Sequence, residues 1–277
     1  MKQTMLKAAS SLLILGGGLM CAQFAAATDT DIVSADVKTC NIKGSVTITI
    51  AGVNYLDDLG CANPTDEPAP GENKNSAVNT TTVGVTALSN VAGVTAPFGD
   101  AKYDNSVANK TILTGTAGES GLSLVQGLVQ STDVAGQVTC TAVSGSSTLN
   151  CTAATTLGTT TVNGSPISIP AQPIPLNYTI ALTGLNVGIN LAGIPVTVPV
   201  SGSLILNELV VTGLNTHNVT IAHNPVHLIL SGSANALGSG LVGVSINVID
   251  ATATKAEFAL FLATIVGESV GLQFKPE

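Results

Sequence analysis

Apolar and polar residues alternate with a period of two along most of this chain. Val46, Ile48 and Ile50 alternate with Thr47 and Thr49 and predict a strand. The pattern resumes at VGVTAL, from Val83, and continues to Val94. From Thr111 it is nearly unbroken. It predicts strands at Leu122–Val129, Gly136–Val143, Ser147–Ala153, Thr159–Val162, Asn177–Leu182, Pro195–Val200, Leu204–Val211, Val219–Ala222, Val226–Leu230 and Val242–Ile249. Gly-Ser, Asn-Gly and Pro-containing breaks separate them. Two polar stretches predict loops: residues 62–82, with three Pro and several Asn, and PFGDAKYDN at 97–105. The link ISIPAQPIPLNY cannot be helical, because Pro lacks the N–H a helix needs. Long stretches of helical period are absent. The expected fold is all-β: an antiparallel, β-sandwich-like domain with Pro- and Gly-rich connections.

A weak internal repeat crosses residues 182–203 and 211–233. Thr183-Gly184-Leu185-Asn186 recurs as Thr212-Gly213-Leu214-Asn215, and Ser201-Gly202-Ser203 as Ser231-Gly232-Ser233. Two copies are too few for a solenoid and predict paired strand-turn-strand units in one sheet system.

The ends depart from the β pattern. Lys2 and Lys7, the apolar stretch Ala8–Met20 and the small residues Ala25-Ala26-Ala27 have the form of a secretory signal with cleavage near Ala27. The apolar run is too short and Gly-rich for a good membrane-spanning helix. Met20 before Cys21 disfavours lipidation, since a small residue normally stands there. The expected organisation is a signal peptide at 1–27 and one all-β domain at 28–255. That domain has N-terminal strands at 28–113 and a core at 114–255. The segment 256–277 is a C-terminal strand or tail whose apolar part is too short to cross a bilayer, or a segment donated to a neighbour. The expected location is secreted, extracellular or at the cell surface.

Charge narrows the chemistry. Between Asp133 and Asp250 Glu208 is the sole Asp, Glu, Lys or Arg. Acid-base, metal and phosphate chemistry need charged groups gathered in a site, so this long body is expected to be structural and non-enzymatic. The chain has no Arg and a formal charge of −8, which argues against nucleic acid and against anionic lipid. Aromatics are five Phe and three Tyr with no Trp, too few for the girdles of a transmembrane barrel.

Cys40, Cys61, Cys140 and Cys151 follow the leader, an even set suited to disulfides in an oxidising compartment. A two-residue hairpin turn at Gly145-Ser146 sets Ser144 opposite Ser147 and, counting outward, Cys140 opposite Cys151. Opposed strand residues lie within disulfide reach, which leaves Cys40 to pair with Cys61.

Other candidates are weaker. His217, His223 and His227 cluster, but Asn224-Pro225 blocks a shared helical face, and an extended strand holds His223 and His227 ~13 Å apart. No metal or cofactor is expected. Glu208 is expected to be solvent-exposed or to accept hydrogen bonds from backbone N–H groups or a neighbouring His; Glu208 with His227 is the candidate structural polar pair. Acidic loop residues such as Asp57/Asp58 and Asp100/Asp104 match no EF-hand, and no nucleophile elbow or phosphate-cradling loop occurs.

A set of segments in order carries a family resemblance: GLSLVQGLVQSTDVAGQVTCTA from Gly121, Cys151, TTTVNGSPISIPAQPIPLNYTI from Thr159, SLILNE at 203–208 and NPVHLIL at 224–230. Together they resemble the choice-of-anchor P family of exported bacterial surface proteins over about 115–255. The resemblance implies an all-β cell-surface domain with no assigned activity. The expected function is therefore a structural or interaction protein of the bacterial envelope or matrix, partnered by self-assembly or by other envelope proteins. The rival expectation is a calcium-dependent glycan-binding adhesin or a secreted hydrolase.

Overall fold

The computed structural model describes residues 21–25, 30–50, 53–65, 68–85, 88–143, 148–191, 194–212, 218–234, 244–264 and 273–275. The leader's apolar stretch, the Gly145-Ser146 turn and His217 lie outside the described residues.

The strands in chain order are β1 (Cys21–Ala25), β2 (Thr30–Ile50), β3 (Val53–Ala62), β4 (Asn73–Ala77), β5 (Thr80–Val85), β6 (Leu88–Thr95) and β7 (Phe98–Asp104). They continue with β8 (Lys110–Glu119), β9 (Gly121–Leu124), β10 (Val129–Ser131), β11 (Val134–Val143), β12 (Thr148–Leu157), β13 (Thr160–Val162) and β14 (Ser165–Pro166). The last are β15 (Tyr178–Leu191), β16 (Ile194–Thr212), β17 (Asn218–Ala234), β18 (Val244–Thr264) and β19 (Gln273–Lys275). Every pairing among them is antiparallel. The fold is all-β and sandwich-like, as the alternation predicts.

One layer is a six-stranded sheet of long strands, β15-β16-β17-β18-β2-β3. Facing it are two smaller sheets, β19-β1-β12-β11-β8-β7-β4 and β14-β13-β10-β9-β6-β5. The small sheets are two halves of one bent layer. The segments β4/β5, β7/β6, β8/β9, β11/β10 and β12/β13 each cross from one half to the other in matching order. The bend lies where each segment breaks for one or two residues. Hydrogen bonds hold the breaks in line: Ser120 N–H to Thr95 O at 3.0 Å, Gly158 N–H to Asp133 O at 2.8 Å, and Ala96 N–H to Asn79 O at 2.6 Å.

Burial follows the pleat. In β11, VAGQVTCTAV alternates buried and half-buried positions almost throughout. The main core lies between the long sheet and the β14–β5 half, around Leu88, Leu124, Val198, Leu204, Leu206 and Leu228. A smaller core under the other half gathers Val37, Leu113, Val138, Ile221 and the Cys140–Cys151 bridge.

Several predicted breaks are corrected. Residues 98–104, predicted as loop, form β7, where Gly99 and Ala101 face inward; small residues gave the alternation no apolar signal. The 62–82 loop contains β4 and the start of β5. The predicted strands at 195–200 and 204–211 are one strand, β16, and those at 219–222 and 226–230 are one strand, β17, despite Pro225. Both copies of the repeat lie in the long sheet, where Ser201 pairs with Ser231. Of their Thr-Gly-Leu-Asn motifs, the second lies outside the described residues except for Thr212. The first sits at a register shift within β15, where Gly184 has φ +67°, and the second begins at the end of β16. β18 runs through 256–264 and pairs with β17 and β2 of the same chain, so the boundary drawn at 255 falls inside a strand. β1 lies within the segment expected as a leader and pairs with β12.

Candidate functional site

The two predicted bridges form. Cys140 lies opposite Cys151 in the β11–β12 ladder, with Cα atoms 4.1 Å apart. The ladder between the bridge and the turn, Thr141 to Asn150 and Ala142 to Leu149, keeps the register that a turn centred between Gly145 and Ser146 requires. Cys40 bonds to Cys61 at a Cα separation of 5.7 Å and ties β2 to β3.

One group of buried polar side chains collects where β16 and β17 are interrupted. Leu206 pairs with Val226 and Glu208 with Asn224, but the ladder skips Asn207 opposite Pro225. Pro225 has no N–H to give, and Asn207 takes φ +53°. The register survives, and Asn207 is fully turned into the sandwich, 2% exposed. Its Oδ1 meets His223 Nε2 at 2.9 Å and accepts from Thr155 Oγ1 of β12 at 3.0 Å. Thr155 Oγ1 also lies 3.2 Å from His223 Nε2. The amide of Asn207 donates to Ile174 O at 2.7 Å, and Asn177 N–H donates to Asn207 O at 3.0 Å. This residue therefore pins both layers and the Pro-rich link together. Gly136 of β11 makes room: a Cβ there would run into Pro225 Cγ and approach His223 Cε1 at 3.2 Å.

Burial pushes the His223 imidazole down to about 3, against a smaller upward pull from the Glu208 charge. The ring is neutral at pH 7. Because Asn207 Oδ1 is only an acceptor, the proton belongs on Nε2. Nδ1 is then a buried acceptor, and among the described residues it has no hydrogen-bond partner. A buried imidazole that stays neutral, with its one N–H given to an amide oxygen, is poorly placed for proton transfer to anything outside.

On the other side of the interruption Glu208 Oε2 accepts from Asn224 Nδ2 at 2.6 Å and lies 2.7 Å from His227 Nδ1. Glu208 and His227 are 14% and 13% exposed, so the pair sits just under the surface. The structure thus brings Glu208 and His227 together and sets His223 apart, facing the interior. Among the described residues no cluster of three His, Cys, Asp or Glu could hold a metal.

Two features escaped the sequence reasoning. Thr155, Asn207 and His223 come from three strands with no local motif, although a Pro within a long strand signals an interruption. Glu119 is 2% exposed at the bend and accepts from Asn41 Nδ2 at 3.1 Å, and Asn63 donates to Asn41 Oδ1 at 2.8 Å. An acid closing an alternating strand reads as a solvated end, so Glu119 gave no warning of burial.

No family model and no curated protein matches the chain. Among solved structures, the crystal structure of Neisserial surface protein A aligns over 82% of this chain and 96% of that one, at 6% identity and a TM-score of 0.14. Likeness at that level carries no argument about fold or function. Among the described residues no helix is long and apolar enough to cross a membrane.

Proposed function

We propose that this chain is a non-catalytic structural or interaction protein of the bacterial envelope or extracellular matrix that associates with further copies of itself through β15. The observation that carries this is the composition of that edge. β15 is the outer strand of the long sheet, 14 residues with no Asp, Glu, Lys, Arg or Pro. An edge strand offers backbone N–H and C=O groups to any strand that can lie beside it, and proteins that stay monomeric usually blunt long edges with charge, Pro or cover. Edges β3, β4 and β14 carry such devices, Asp57 and Asp58, Lys74 and Pro166; the β5 edge carries none but is only six residues long. On β15 no described strand pairs on the outer side, and Gln126 Nε2 donates to Gly188 O at 2.9 Å. Two disulfides favour an oxidising, exported setting. The ordered resemblance to choice-of-anchor P segments supports a surface location. The polar cluster supports a non-catalytic role, because Thr155, Asn207 and His223 are buried and bond to one another and to the link they hold.

Sedimentation velocity on the purified protein tests the proposal. The wild-type chain is expected to form larger species as concentration rises. Ala181→Lys with Asn186→Lys, both at exposed positions of β15, is expected to stay monomeric with an unchanged melting temperature. A wild-type chain that remains monomeric at every concentration reached, or a Lys variant that assembles equally well, overturns it.

A further inference from the structure

The outer face of the β14–β5 half carries a groove of about 470 Å³, within the range of small-ligand sites. It runs across strands rather than along them. One row of its lining follows the ladders from Thr82 to Gly93, Ser123, Gln130 and Thr161. A second row pairs Thr80 with Thr95 and Gly121. It continues past the last ladder pairs to Thr132 and Thr159, where Thr132 N–H donates to Thr159 O at 3.1 Å. Five strands at ~4.8 Å spacing make a trough about 19 Å long.

The two glycines in the middle of these rows lack a structural reason. Neither is among the glycines with positive φ. A Cβ on Gly93 would come no closer than 3.4 Å to Thr82 Oγ1, and one on Gly121 no closer than 3.5 Å to Thr95. Those are about ordinary contacts, so a methyl would fit. Glycine inside a strand weakens it and often marks a place where a ligand or a second backbone approaches closely. Here both glycines lower the floor of the trough while Thr and Gln side chains form its sides.

The lining also restricts what could lie there. It holds no charged and no aromatic side chain. Among the described residues, the side chains of Thr80, Thr82, Thr95, Ser123, Gln130 and Thr161 make no hydrogen bond within the protein, so their donors and acceptors face the trough unused. Ionic ligands find no counter-charge, and the only large apolar side chains of the lining, Val94 and Leu122, are buried in the core and give lipids or flat aromatic molecules no exposed platform. A chain of neutral hydroxyl groups fits both the chemistry and the length.

We infer that this groove binds a neutral oligosaccharide lying across the five strands, recognised by hydrogen bonds alone. This goes beyond the structural role proposed above and does not rest on it, since the groove and β15 belong to different sheets. Without an aromatic platform the affinity is weak, on the order of 1 mM, because each exchange of a water hydrogen bond for a protein one gains little.

The test is a titration of the full disulfide-bonded protein with maltotetraose, cellotetraose, mannotetraose and chitotetraose, and with a heparin-derived tetrasaccharide as the charged comparison. Binding is followed by NMR at the Gln130 side-chain amide and by calorimetry. At least one neutral tetrasaccharide is expected to bind saturably and shift that amide. The Gly93→Ala/Gly121→Ala variant is expected to lose at least tenfold in affinity with no fall in melting temperature. Gln130→Ala, at an exposed position, is expected to weaken the same ligand. The inference is overturned if no neutral probe binds, if only the heparin fragment does, or if both variants bind as the wild type does.

Discussion

Lowering the pH from 7 to 4 should cost this protein stability through one residue, His223. The folded ring titrates at about 3 because it is buried, whereas an unfolded His titrates near 6.5. Folding thus depresses the pKa of a base. Its contribution is fully present above the unfolded value and is lost as pH falls from about 6.5 toward 3, because the unfolded chain takes up a proton that the folded chain refuses. At pH 4 the unfolded His is almost fully protonated and the folded one almost fully neutral. The difference amounts to about 3 kcal/mol, a large part of the 5–15 kcal/mol typical of a domain. Carboxylates also contribute to acid sensitivity, so the quantity to measure is a difference of differences. Urea unfolding at pH 7 and pH 4 gives the pH-dependent loss for the wild type and for His223→Gln. The variant is less stable at pH 7, since it disturbs the bonds to Asn207 and Thr155, but it should lose about 3 kcal/mol less between the two pH values. Equal losses would refute the argument. So would a histidine NMR titration in which His223 of the folded protein protonates near pH 6.5.

Three further outcomes follow from the same geometry. Gly136→Ala should destabilise by about 2 kcal/mol or more in thermal or chemical melts, because its methyl would overlap Pro225 of the facing layer. Replacing Cys140 and Cys151 together by Ser should cost about 2–3 kcal/mol of unfolding free energy for a bridge spanning 11 residues, with far-UV circular dichroism unchanged at room temperature. Glu208→Gln should lower stability by about 1–2 kcal/mol at pH 7, since it weakens charge-assisted bonds to Asn224 and His227 just below the surface; an unchanged melting temperature would make that pair incidental.

Much of the fold was legible because its signals are local. Alternation marked the β11 and β12 strands, and the symmetry of a two-residue turn was enough to set Cys140 opposite Cys151. Glu208 stood out by isolation, and one neighbouring strand supplied its His. The interior cluster was not legible in the same way. Asn207, Thr155 and His223 meet only because the bent layer folds over the long sheet, and Gly136 carries no sign of the proline it must clear. The breaks were misjudged for a related reason. Pro225 and Ser201-Gly202-Ser203 look like interruptions one residue at a time, yet ladders on both sides carry β16 and β17 through them. β7 was missed because Gly99 and Ala101 bury almost no side chain and so leave no apolar trace.

The claim that β15 is the surface through which copies meet is tested most directly by hydrogen-deuterium exchange, comparing dispersed and assembled protein. The account predicts that assembly slows exchange along residues 178–191, at the amides pointing away from β16, while β3 and β4 exchange as before. Protection gained at β3, β4 or the groove face instead, with 178–191 unchanged, would contradict it.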